Sequence, residues 1–184
     1  MKFAYPYAQI SASKLTLVNF SEKSLLLGFS FFALVIPVVF HSQAFPNQII
    51  VGTIVNALLA LCALYLTFKN SLPVILLPSL AALFSGFIFG SFTVFLTLLV
   101  PFIWVGNAVY VHVIKSFAVA GKMNYWVSVF GASMLKAAII GLSTFILVSV
   151  GLVPQILLFP MSAVQFATAV LGGLLAGISL TLRK

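Results

Sequence analysis

Long apolar runs, broken by brief polar connections, set the pattern of this chain. Six stretches hold at most one charge each and approach or reach the roughly 20 mainly apolar residues that a membrane-spanning helix needs. They run from about Ser24 to Phe40, Ile49 to Phe68, Leu72 to Phe89, Ser91 to Ile114, Tyr125 to Val150 and Leu157 to Leu182. The third is short and carries Pro73, Pro78 and Gly86, with Gly90 just beyond it. Only Phe89-Gly90-Ser91 separates it from the fourth. One helix across both would cover roughly 40 residues, or about 60 Å at 1.5 Å per residue. That is about twice the hydrocarbon thickness of a bilayer, so the pattern predicts two helices and a very tight turn.

Composition agrees with that reading. Of 184 residues, 63% are hydrophobic and 5% charged, whereas a soluble domain carries roughly 25% charged residues. The expected fold class is therefore all-α, an integral membrane bundle of six transmembrane helices. It forms one domain over residues 1–184, with residues 1–23 as a cytoplasmic or interfacial segment; Phe3, Tyr5, Tyr7 and Phe20 suit anchors at the headgroup level, and a loosely ordered tail is the equal alternative. Ser42-Gln43-Ala44 loosely matches a signal-peptide cleavage site, but Pro46 follows closely and the preceding run is long for an h-region. No cleavage is expected there.

The charges test the helix count independently. The net charge is +8, from nine Lys and Arg against one acid, Glu22. These cations are scattered between apolar runs and never clustered, so no nucleic-acid partner is expected. Lys2, Lys14 and Lys23 precede the first stretch, Lys69 follows the second, Lys115 and Lys122 follow the fourth, and Arg183 and Lys184 follow the sixth. The alternate connections contain no Lys or Arg. Basic residues accumulate in cytoplasmic segments, so both N- and C-termini are expected on the cytoplasmic side.

Small residues recur four apart at Ala82, Gly86 and Gly90, at Ser133, Ala137 and Gly141, and at Ala169, Gly173 and Gly177. Such stripes let helices approach closely in lipid. The single cysteine, Cys62, cannot alone build a disulfide, zinc site or iron–sulfur cluster, and it reads as a small buried or lipid-facing residue.

The ninth basic residue, Lys136, sits about 17 Å into the fifth stretch at 1.5 Å per residue, near the bilayer midplane. A central charge there costs about 2.5–3.5 kcal/mol on insertion scales, and no membrane carboxylate exists to offset it. A ligand carboxylate or phosphate is an attractive partner; a lysine lining a polar crevice is the structural alternative. Asn56, Gln165, Thr168, His41 and Gln43 fall in the outer half under this topology, and Trp104 and Asn107 lie deeper. Together with Lys136 they form the candidate substrate-binding set, although helix-to-helix hydrogen bonds would equally occupy the amides.

Enzyme chemistry is not expected. The chain has no Asp, so paired carboxylates and Ser-His-Asp triads cannot be built. Gly121-Lys122-Met123 lacks the other P-loop residues. No cofactor or metal is expected.

Several segments carry a family likeness: Val51-Gly52-Thr53-Ile54-Val55-Asn56-Ala57, Leu77-Pro78-Ser79, Pro101-Phe102-Ile103 with Gly106-Asn107, and Gln165 to Gly173. With six short helices and no ATPase motif, the chain resembles the substrate-binding S component of energy-coupling factor (ECF) transporters, or a closely related small bacterial membrane protein. The resemblance implies a multi-pass subunit of a prokaryotic plasma membrane that captures a vitamin or similar small molecule on the outer side. It also implies a transmembrane coupling subunit and ATPase subunits as partners, alongside the lipid bilayer. S components commonly dock through an Ala-x-x-x-Ala stripe in the first helix; here only Ser24 and Gly28 stand at such a spacing. The rival reading is a non-transporting scaffold or assembly subunit of a larger complex, without a closed pocket.

Overall fold

The structure, a computed structural model, describes residues 21–40, 45–85 and 92–181. His41, Gln43, the turn expected at residues 89–91 and both terminal segments lie outside these residues, as do the proposed aromatic anchors. Six α-helices follow one another: α1 Glu22–Val39, α2 Phe45–Tyr65, α3 Phe68–Ser85, α4 Thr93–Val113, α5 Tyr125–Ser149 and α6 Gln165–Thr181. No strand occurs among the described residues. α4 runs on into a π-helical segment, Ile114–Ala120, and a second one, Pro160–Val164, leads into α6.

Five helical segments are long and apolar enough to cross a membrane, and α3 is a shorter apolar helix. Their outer faces carry large apolar side chains such as Leu27, Phe84, Leu142 and Ile146. So continuous an apolar exterior fits the interior of a bilayer rather than water.

Local chemistry explains the helix starts. Ser21 caps α1, its hydroxyl accepting the Ser24 N–H at 3.2 Å, which satisfies one orphan donor of the first turn. Asn124 caps α5 through the Trp126 N–H at 2.9 Å. α3 begins four residues before the expected Leu72 and takes in Lys69 and Asn70. Those polar residues read as a connection in the sequence, yet Thr67 Oγ1 accepts the Asn70 N–H at 3.4 Å and starts the helix there. α2 likewise starts before the expected Ile49, with Pro46 in its first turn, where a missing N–H is tolerated.

α2 is central and touches α1, α3, α4 and α6, while α4, α5 and α6 complete the wall and α1 packs mainly on α3. Two of the small-residue stripes work as close approaches. A Cβ on Gly177 would meet the Trp126 ring of α5 at 2.5 Å, and one on Gly141 would meet Ser162 at 3.1 Å. The closest contact of α2 with α6 is made instead by Gly172, outside the stripes, where a Cβ would lie 2.6 Å from the Ala57 nitrogen.

The lysines of the described ends gather at one end of the bundle. Glu22 Oε1, at the start of α1, accepts the Thr67 N–H of the α2–α3 turn at 2.6 Å. Lys115 Nζ donates to the Ala63 and Leu66 carbonyls at the end of α2, at 3.2 and 2.5 Å. Tyr65 and Ser179 share a hydroxyl hydrogen bond of 3.1 Å, which brings the end of α6 to the same level.

Candidate functional site

Three of the six helices are built so that a polar thread runs through the apolar core. Lys136 lies halfway along α5 and is 2% exposed. Its Nζ donates to Asn56 Oδ1 of α2 at 2.5 Å. Asn56 Nδ2 in turn donates to Thr168 Oγ1 of α6 at 3.2 Å and to the Gly52 carbonyl one turn back at 2.9 Å. Thr168 Oγ1 closes the thread on the Val164 carbonyl at 2.8 Å. Bare Gly52 is what admits Thr168, whose Cγ2 would lie 3.0 Å from a Cβ there.

Beneath the amine lies Tyr110 of α4, fully buried, with its ring centroid 5.6 Å from Lys136 Nζ. That distance is within range of a cation–π attraction. The Tyr110 hydroxyl donates to the Ala169 carbonyl of α6 at 2.8 Å, so the ring is fixed from the far side. One turn earlier on the same face of α4, Asn107 Nδ2 donates to the Ile75 carbonyl of α3 at 3.1 Å. Asn107 is 3% exposed, and its Oδ1 has no hydrogen-bond partner among the described residues. A buried acceptor left unsatisfied costs about 1–3 kcal/mol.

These groups surround a cavity of about 110 Å³. Asn56, Asn107, Lys136, Gln165 and Thr168 all line it, so five of the eight candidate residues meet in one place. Gln48, Ser79 and Pro160 also line it. Trp104 does not: its Nε1 donates to Ser79 Oγ at 2.7 Å, positioning that hydroxyl in the wall. His41 and Gln43 lie outside the described residues. The lining comes chiefly from the end of α1, the first half of α2, the later part of α3 and the start of α6 with the π-helical segment before it, while Leu96, Ile103 and Asn107 of α4 and Lys136 of α5 carry it to mid-bundle. In this antiparallel bundle those parts face away from the lysine-bearing end, so the cavity occupies the opposite half.

Tyr110 and Ser79 are not legible as site residues in the sequence. Tyr110 is three residues after Asn107, a spacing that shares a helix face, but an aromatic in an apolar helix reads as ordinary core.

No group of His, Cys, Asp or Glu able to hold a metal ion occurs among the described residues. Cys62 is buried and free. What the arrangement offers chemically is recognition: a cation with spare N–H donors, an amide acceptor, and apolar walls. Comparison with known proteins returns no match, whether to a family model, a curated protein or a solved structure. Fold and site together define a bundle of apolar helices with a partly open, largely apolar cavity that a few polar side chains also line.

Proposed function

We propose that this protein is a membrane-embedded, solute-capturing subunit of a transporter, energised by partner subunits. The observation that carries the reading is the cavity itself, lined by both the buried Lys136 and Asn107, whose amide oxygen has no partner among the described residues. A scaffold has no need of such a void, and close packing would remove it. Six spans, both termini in the cytoplasm and a prokaryotic plasma membrane complete the proposal. Clustering of Lys23, Lys69, Lys115 and Lys122 at the end away from the cavity supports the orientation. The likeness to ECF S components supports a vitamin-like solute and a coupling subunit with ATPases. A shallow groove between α1 and α2 holds Ser24 and Gly28 beside Leu58. A Cβ on Gly28 would meet nothing within 4 Å, a free face on which such a subunit has room. Binding rather than catalysis is the proposed role.

Native mass spectrometry of the detergent-purified protein is expected to show a small molecule bound one to one. Release of nothing but lipid, together with tight co-purification of a protein partner, would favour the scaffold instead. Orientation is tested separately. A membrane-impermeant amine reagent applied to intact cells is expected to leave Lys69 and Lys122 unlabelled until the membrane is opened. Labelling of either from outside would invert the topology.

A further inference from the structure

Beyond a generic solute, the unsatisfied groups around the cavity define what the occupant must carry. The Lys136 ammonium has three N–H donors. One goes to Asn56 Oδ1, and no second acceptor takes another among the described residues. The Tyr110 ring meets the cation from one side only. The chain has a single acidic residue, Glu22, and it is held at the far end by Thr67. The amine therefore has no protein counter-charge, and its surroundings are short of acceptors.

Asn107 has the opposite need. Its Nδ2 is taken by the Ile75 carbonyl, which fixes the amide's orientation and leaves Oδ1 buried and unpartnered on a residue that lines the cavity. An acceptor held in this way asks for an N–H or O–H. Asn56 and Thr168, by contrast, are engaged with each other and with backbone carbonyls. Their polar atoms have little left for an occupant.

Size narrows the class further. An apolar cavity of about 150 Å³ holds one benzene, and this one measures about 110 Å³. The enclosed part thus seats a group no bulkier than a single small ring. One amine that can carry a single positive charge suits one negative charge better than the two of a phosphate dianion.

We infer that the cavity takes a small, singly charged organic acid that also carries an N–H or O–H, its carboxylate on Lys136 and its donor on Asn107 Oδ1. The inference rests on the reading of this cavity as a solute site. It adds that charge and a donor, not apolar bulk alone, select the occupant.

The test uses the full chain in detergent and three matched probe sets: pyrrole-2-carboxylate, lactate and pyroglutamate; their carboxamides; and their N- or O-methylated forms. Binding is read by titration calorimetry and by thermal shift. At least one acid is expected to bind, with its carboxamide and its methylated form each at least about tenfold weaker, as expected for a lost hydrogen bond to a charged or buried group. Lys136→Gln retains a donor for Asn56 and so protects the fold; it is expected to erase the preference for acid over carboxamide. Asn107→Leu is expected to erase the preference against methylation while sparing the charge preference. A carboxamide that binds as tightly as its acid overturns the inference, and so does an acid whose affinity is unchanged in Lys136→Gln. Tighter binding of inorganic phosphate than of any acid also overturns it. In each of those cases an occupant is still bound, and the solute reading stands. Should no probe bind and no small molecule co-purify, the solute reading falls with the inference.

Discussion

Gly172→Val is expected to unfold or loosen the bundle more than any other single change considered for α6. A Cβ at Gly172 would lie 2.6 Å from the Ala57 nitrogen and 2.7 Å from the Asn56 carbonyl carbon. Those are backbone atoms of the central helix, so no side chain can rotate out of the way. The helices must separate, and overpacking of this kind costs about 3 kcal/mol. Because the clash falls at Asn56, the polar thread opens with it. The expected result is a drop of several degrees in the midpoint of thermal unfolding in detergent, with loss of solute binding. Gly131→Ala provides the contrast. Nothing lies within 4 Å of a Cβ there, and alanine is the better helix former by about 0.8–1.0 kcal/mol. That variant is expected to match or exceed the wild type, and a Gly172→Val protein as stable as Gly131→Ala would refute the α2–α6 contact.

Asn56→Leu is the second change with a large expected effect. Leucine keeps the branched outline of the side chain but none of its hydrogen bonding. Lys136 loses the one acceptor it has among the described residues, and Thr168 loses a donor. Stranding a buried, charged donor costs about 3 kcal/mol, read again as a lowered unfolding midpoint. Asn56→Asp makes the cause visible. It gives Lys136 an acceptor of opposite charge, so it is expected to recover much of the stability lost in Asn56→Leu. The same carboxylate would compete with an anionic solute, so acid binding is expected to fall even though the protein is intact. Equal stability of the Leu and Asp variants would show that the Lys136–Asn56 bond contributes nothing.

The helices and the heart of the site are legible in the sequence for simple reasons. A lone lysine inside a long apolar run has no cheap explanation, and Asn56, Asn107, Gln165 and Thr168 stand out against Leu and Val in the same way. Boundaries are less visible. Polarity assigns Lys69 and Asn70 to a connection, but a helix end can project such residues outward and still form, given the Thr67 cap. The π-helical segments, including the one that supplies Pro160 and Met161 to the cavity wall, leave no trace in a hydrophobic period. Nor does composition show which polar residue points into a void. Trp104 and Asn107 lie on one helix, yet only Asn107 faces the cavity, because Trp104 is spent on Ser79. Gly172 stands between Thr168 and Ala176, a run of small residues beside that of Ala169, Gly173 and Gly177, and spacing alone does not say which of the two faces α2.

Helix α1 buries only Ala33, Ile36 and Pro37, yet Pro37 contributes to the chamber wall. Its foot is moored to Thr67 through Glu22. The flank it guards is thus secured by few buried side chains, which places α1 toward the low-stability end of the bundle and makes it the segment expected to open first.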